Sequence, residues 1–240
     1  MEITSSLSNL NLFSSSKVKI LAGIPCHNTE SSIANLIVLT KPYVSGIVVV
    51  DDGSTDKTAQ IASSAGAVII SHSKNKGYGE AIKSCFSAAQ NVDADVLVTF
   101  DGDGQHNPSD IPAILKPILN KEADIVIGSR FLETSNNIPN YRKIGINLIN
   151  FLWNANAKIK VTDTQSGFRA YDAHVLKALT ISNKGMGASI EILEQARQKQ
   201  MRIKEVGIDC SYENNNSYLS LKSVRHGMNV AFFTIMARFK

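Results

Sequence analysis

Val96-Leu97-Val98-Thr99-Phe100-Asp101-Gly102-Asp103-Gly104-Gln105-His106 is the run that decides how this chain folds. Its opening residues are apolar or β-branched without alternation, the pattern of a strand covered on both faces. Such a strand carries its last residues to the carboxyl edge of a sheet, where open α/β folds bind ligands. Two carboxylates one residue apart in extended chain point the same way, and a shared cation relieves their repulsion. The carboxylates of Asp101 and Asp103 and the amide oxygen of Gln105 are hard ligands. They suit Mg²⁺ or Mn²⁺, which keep water ligands and bind substrate phosphate. Taken alone, the same residues also read as a polar, glycine-rich turn closing a strand.

Outward from that run, strand and helix signals alternate. Residues 18–24, 46–50, 67–70, 95–100 and 124–127 are short apolar runs, and residues 31–39 and 79–90 have helical spacing. Ser54 is placed to cap a helix running to about Ala65, with Asp56 in its first turn. Pro108 can open another helix at its first turn. This alternation predicts an α/β fold with a mostly parallel sheet flanked by helices. Further on, residues 141–158, 172–179 and 189–199 read as helices and 202–206 as a strand. The polar segment 162–169 interrupts between them. The expected layout is a loose tail at 1–16, one domain at 17–212, and a mobile loop with an amphipathic helix at 213–240.

Composition bounds the function. The chain has 240 residues, 43% hydrophobic and 19% charged, which is enough to bury a full core and too apolar for a disordered chain. A formal charge of +4 suits anionic ligands or an anionic membrane surface without requiring nucleic acid. No zinc-finger spacing, RNP-type aromatic run or helix-turn-helix signature occurs, so nucleic acid is not an expected partner. Cys26, Cys85 and Cys210 form neither a disulfide framework nor a redox pair and read as reduced, buried thiols of a cytosolic protein. The first sixteen residues lack the basic start and apolar core of a signal peptide. No window approaches the roughly 18–20 apolar residues of a membrane span, so the chain reads as soluble.

A second run, Val48-Val49-Val50-Asp51-Asp52-Gly53-Ser54-Thr55-Asp56, places acidic groups at a strand's carboxyl end before a helix N-terminus. Carboxylates there can accept from a ribose or a base, and backbone N–H groups suit phosphate. Alone, this run is also a capped turn. It does not stand alone. Pro25 followed by Asn28, the Asp51-Asp52-Gly53-Ser54 run, Asn75-Lys76-Gly77-Tyr78-Gly79, Asp101 to His106, Gly128-Ser129-Arg130 and Asp163-Thr164-Gln165-Ser166-Gly167-Phe168-Arg169 follow in order. Together they resemble the family 2 inverting glycosyltransferases, and within them the polyprenol (dolichol) phosphate mannose or glucose synthases.

That resemblance implies a GT-A fold, a nucleotide-sugar donor of GDP-mannose or UDP-glucose type, Mg²⁺ or Mn²⁺, and a polyprenyl phosphate acceptor. It implies a nucleotide-sugar pocket of Pro25, His27, Asn28, Asp51, Asp52, Ser54, Lys76, Asp101, Gly102 and Asp103. The metal would sit on Asp101, Asp103 and Gln105. The acceptor phosphate would meet Arg130, Arg142, Ser166 and Arg169, with Asp101, Asp103, Arg130 and Arg169 central to catalysis. The chemistry agrees. A leaving diphosphate needs charge neutralisation, and an ionised phosphate acceptor needs positioning arginines more than a general base.

Departures and rivals define what remains open. The family usually shows Tyr-Asn-Glu where this chain has His27-Asn28-Thr29, so His27 reads either as a base-stacking group or as a structural histidine. An EF-hand starting at Asp101 fails, because His106 stands at its glycine position and Pro112 at its final glutamate. The Lys76 run lacks the Gly-Lys-Ser/Thr ending of a P-loop and reads as a phosphate-facing loop or a simple turn. Residues 185–189 before Glu191 read as a substrate loop or an ordinary helix start. The alternatives are a soluble family 2 enzyme with a glycan or protein acceptor, and a catalytically silent nucleotide-sugar-binding protein. The carboxylate and arginine sets argue against silence. Without a span, the enzyme is expected to be peripheral at the cytosolic face of a membrane. The terminal stretch, with Val230, Phe233 and Ala237 between Arg225, Arg238 and Lys240, would either dock there or pack on the sheet.

Overall fold

The computed structural model describes residues 18–133, 138, 140–155, 157 and 159–211, with the side chains of 140–142 outside that description. The tail expected at 1–16 and the loop and helix expected at 213–240 lie outside the described residues. Among the described residues seven strands form the sheet: β1 (Ile20–Cys26), β2 (Gly46–Asp51), β3 (Val68–Ser71), β4 (Val96–Thr99), β5 (Ile125–Ser129), β6 (Arg169–Asp172) and β7 (Ile203–Gly207). Their order is β3-β2-β1-β4-β6-β5-β7. The helices are α1 (Ile33–Thr40), α2 (Thr58–Ser64), α3 (Tyr78–Asn91), α4 (Ile111–Leu119), α5 (Asn140–Asn154), α6 (Ala173–Ala178) and α7 (Ala188–Gln198).

The unbroken apolar strands are explained by cover on both faces. Side chains alternate along a strand, so Val48 and Val50 join one core while Ile47 and Val49 join the other. The first core is closed by Ile82, Cys85 and Phe86 of α3, Trp153 of α5, and Ile190 and Leu193 of α7. The second is closed by Ile33, Leu36 and Ile37 of α1 and by Ile111, Ile114 and Leu115 of α4. Each fully buried Leu, Ile or Val contributes about 1.5–3 kcal/mol over its exposed state. That is why the apolar stripes of these helices face inward. The three cysteines are buried thiols, and burial pushes the Cys26 thiol up to about 12.

Three local expectations are corrected. The strand before Asp101 ends at Thr99, and residues 101–104 form a turn, so the alternation of extended chain does not set the directions of Asp101 and Asp103. Ser54 caps no helix. The helix begins at Thr58, whose N–H and hydroxyl both donate to Asp56 Oδ1, at 2.9 and 2.6 Å. The polar segment 162–169 leads into a strand that the apolar pattern did not signal. This is β6, inserted antiparallel between β4 and β5, with Thr99 opposite Arg169. Being reversed, β6 brings its N-terminal approach to the edge where the parallel strands end. That inversion builds the site.

Candidate active site

At the end of β2 two neighbouring aspartates, Asp51 and Asp52, hold different partners, and Asp51 is buried at 6% exposure. Asp52 is buried. Its Oδ1 accepts the Lys76 N–H at 2.9 Å and meets His72 Nδ1 at 2.6 Å, and its Oδ2 accepts the Gly77 N–H at 2.8 Å. His72 Nε2 lies 3.0 Å from Ser84 Oγ of α3. Burial alone would raise the Asp52 carboxyl, but His72 and the two backbone donors outweigh it and hold it below the ordinary range. Asp52 therefore faces the protein and shapes the 74–77 loop, leaving the Lys76 side chain exposed. Asp51 Oδ1 accepts the Ser54 N–H at 3.1 Å. Ser54 Oγ accepts the Asn28 N–H at 2.9 Å, and Asn28 Oδ1 accepts the Thr55 N–H at 2.8 Å. These bonds clasp the end of β1 to the end of β2. His27 Nδ1 lies 3.0 Å from the Asp52 carbonyl. A carbonyl only accepts, so Nδ1 carries the proton and Nε2 is the ring's other pole. The His27 ring is exposed, whereas Pro25 is buried within β1.

The turn after β4 is pinned on both sides. The Gly102 N–H donates to the Pro25 carbonyl at 3.2 Å, and Ser32 Oγ donates to the Gly102 carbonyl at 2.7 Å. A Cβ at Gly102 would lie 2.3 Å from Cys26 Sγ, so only glycine lets the turn approach β1 this closely. The Asp101 carboxylate rests on the backbone of Gly167, where a Cβ would lie 2.7 Å from both its oxygens. Its Oδ2 is 3.7 Å from His106 Nε2. His106 is buried against Phe168, and its Nδ1 has no hydrogen-bond partner among the described residues. Asp103 is exposed and accepts the Gln105 N–H at 3.0 Å, and Gln105 is half-buried.

Among the described residues no three acidic, histidine or cysteine side chains form a closed metal cage. The donor set nevertheless fits a hard divalent cation. Asp101 is about a third exposed, Asp103 is exposed, and Mg²⁺ or Mn²⁺ of this kind takes its remaining ligands from water and substrate phosphate.

Opposite Asp101, the approach to β6 is built from buried charge. Arg130, at the end of β5, pairs with Asp163 in a two-pronged geometry, Nε to Oδ2 at 2.7 Å and Nη2 to Oδ1 at 2.8 Å. Its own N–H donates to Asp163 Oδ2 at 3.1 Å. Asp163 is fully buried, and its N–H donates to Glu205 Oε1 at 3.0 Å. Burial pushes the Glu205 carboxyl up.

Arg169 stands differently from the expected phosphate ligand. It is 2% exposed and donates to the carbonyls of Ser166, Ser189 and Thr164 at 2.8, 3.1 and 2.7 Å. Ser166 is also buried, and its Oγ accepts the Phe168 N–H at 3.2 Å. Both residues build the turn beneath the site instead of facing out of it, because only a buried guanidinium satisfies those carbonyls at once. Burial, with the Asp101 charge adding, pushes the Tyr78 phenol well up beside them. The Arg142 side chain lies outside the described residues. Of the two expected arginines whose side chains are described, Arg130 is the one placed at the edge with its head oriented by a carboxylate.

Three contributors escaped the sequence reading: His72, His106 and Asp163. Asp163 opens a run already singled out and His106 follows Gln105 directly, so position marked them while their partners did not show. Glu191 carries no ligand-like geometry. Its carboxylate accepts the N–H groups of Ser182 and Asn183, at 3.0 and 2.9 Å, tying down the loop before α7.

The family model described as glycosyl transferase family 2 matches residues 22–180. The chain belongs to glycosyl transferase family 2. Among curated relatives, a UDP-N-acetylglucosamine–dolichyl-phosphate N-acetylglucosaminyltransferase of Methanococcus voltae is 33% identical, over 79% of this chain and 84% of its own. An undecaprenyl-phosphate mannosyltransferase of Micrococcus luteus is 32% identical, over 80% and 83%. Among solved structures, glucosyl-3-phosphoglycerate synthase of Mycobacterium tuberculosis, crystallised with Mn²⁺, UDP and phosphoglyceric acid, superposes with a TM-score of 0.73. It is 20% identical and the match covers 92% of this chain and 78% of that one, which fixes the fold as GT-A. This family 2 enzyme is thus a glycosyltransferase with polyprenyl-phosphate sugar transferases among its relatives. No described helix is long and apolar enough to cross a membrane.

Proposed function

We propose that this enzyme transfers a hexosyl group from a nucleotide sugar, of GDP-mannose or UDP-glucose type, to a polyprenyl phosphate with inversion. The observation that carries the reading is the abutment of Asp101 on Gly167. The reversed β6 presses the Asp163–Arg169 turn against a carboxylate suited to a metal, so a donor side and an acceptor side share one edge. The relatives that act on dolichyl and undecaprenyl phosphate support the acceptor class.

Each residue then has a task. Asp51, His27 and Asn28 face the nucleoside, and the loop nailed down by Asp52 presents Lys76 to the donor phosphates. Asp101 and Asp103, with Gln105, would hold Mg²⁺ or Mn²⁺, which would supply the positive charge that a leaving diphosphate needs. Arg130, oriented by Asp163, meets the acceptor phosphate, while Arg169 and Ser166 keep that turn in place. The acceptor oxygen is already anionic, so it attacks the anomeric carbon without surrendering a proton. The bond from that carbon to the diphosphate oxygen breaks on the opposite face, and the configuration inverts. The membrane face concerned is the cytosolic one, where nucleotide sugars would reach the site.

The test is transfer of labelled sugar from GDP-mannose, UDP-glucose and UDP-N-acetylglucosamine to polyprenyl phosphate or to the free polyprenol, with Mn²⁺ or with a chelator. Transfer is expected to the phosphate alone and only with the metal. Equal labelling of the free alcohol would sink the lipid-phosphate reading.

A further inference from the structure

Helix α5 is apolar on two opposite faces, and only one of them has a partner among the described residues. Ile149 and Trp153 are buried at 5% and 1% exposure in the core, and Asn150 beside them bonds Thr164. Half a turn round, Ile144, Leu148 and Phe151 stand 70%, 54% and 71% exposed. Their spacing of four and three residues puts them on a single stripe about 10 Å long. Single exposed apolar residues need no explanation, but a contiguous stripe marks a contact.

Charge says what covers it. Between Glu133 and Asp163 the sequence holds no acidic residue and four cations, Arg142 and Lys143 near the start of the helix and Lys158 and Lys160 in the sequence that follows it. Lys143 and Lys160 are exposed. An apolar stripe on a stretch of chain whose only charged residues are cations complements the headgroup layer of an anionic bilayer. It does not complement water, and it would repel a basic partner. Position agrees. Asn150 Oδ1 accepts the Thr164 N–H at 3.0 Å, so the helix is bolted to the turn that ends beside Asp101.

We propose that the Ile144-Leu148-Phe151 face of α5 is a docking surface for an anionic lipid bilayer, setting the height at which the active-site edge meets a lipid-borne acceptor phosphate. The choice of a bilayer as occupant rests on the polyprenyl phosphate reading above. The stripe and its charge flanks do not.

The full-length protein is to be cosedimented with phosphatidylcholine vesicles and with mixed phosphatidylcholine–phosphatidylglycerol vesicles, neither containing an acceptor. Wild type should partition to the mixed vesicles. The variant Ile144→Asn/Leu148→Asn/Phe151→Asn should keep its thermal midpoint, because the three side chains are exposed, and lose about tenfold or more in partitioning. A Phe151→Trp variant should emit as an exposed indole in buffer and shift to the blue on mixed vesicles. Three results overturn the proposal. The variant partitions like wild type, the tryptophan is already shielded in buffer (a face covered by the chain's own residues), or the triple variant turns a dimer into a monomer (a face covered by a second copy). Transfer to a short, water-soluble prenyl phosphate, measured in parallel, separates the two readings. Vesicle binding without any such transfer would leave the docking surface standing and remove the acceptor assignment.

Discussion

Asp52 and Asp103 differ in their surroundings more than in their chemistry, and substitution should separate them cleanly. Asp103 is exposed at a turn, so Asp103→Ala should change stability by no more than about 0.5 kcal/mol while transfer falls to background. Asp52 satisfies the N–H groups of Lys76 and Gly77 and faces His72. Removing that acceptor orphans two part-buried N–H groups and the buried His72 ring, and Asp52→Ala should cost roughly 1–3 kcal/mol and raise the KM for donor as the Lys76 loop loosens. Urea unfolding alongside donor saturation curves checks both. An Asp103→Ala enzyme that turns over like wild type would refute the metal assignment. The sequence made both residues visible as acids at strand ends. It did not say which way each carboxylate faced, because His72 lies twenty residues from Asp52 along the chain and meets it only across the sheet.

Among elements, β6 was the least legible and the most consequential. The parallel strands could be read from unbroken Val and Ile runs, since burial on both faces leaves no alternation. Arg169-Ala170-Tyr171-Asp172 carries a charge at each end and offers no such run, and its Arg169 is tolerated in the sheet only because three carbonyls satisfy it. The reversed strand is what sets Gly167 under Asp101. Gly167→Ala would place a methyl 2.7 Å from both Asp101 oxygens, and either the carboxylate or the turn must move. Displacement of a catalytic group by about 1 Å can cost up to about a hundredfold. Transfer by Gly167→Ala should therefore fall at least tenfold, with a higher Mn²⁺ requirement and an unchanged far-ultraviolet circular dichroism spectrum. Wild-type Mn²⁺ activation in this variant would show that the abutment does not govern the site.

For the molecule as a whole, acid should reach the fold through carboxylates tying distant parts of the sheet together. Asp124 joins the start of β5 to the approach of β7 through Arg202, with Nη2 to Oδ1 at 2.6 Å and the Arg202 N–H to Oδ2 at 2.7 Å. Burial opposes its ionisation, but the bonds from Arg202 prevail and hold its carboxyl below the ordinary range, as the donors around Asp52 do there. A carboxyl depressed on folding stabilises the native state above its unfolded value of about 3.9. That contribution disappears as pH falls through the lower folded value, where the unfolded chain has already taken up its proton. Arg202 is more than half exposed, so solvent screens much of the Asp124 share, and Asp52 should dominate. The difference in urea midpoint between wild type and Asp52→Asn should be constant from pH 5 to 7 and shrink steadily below about pH 4. A difference that stayed constant down to pH 2 would mean that the Asp52 carboxylate is not what fastens the Lys76 loop to the sheet.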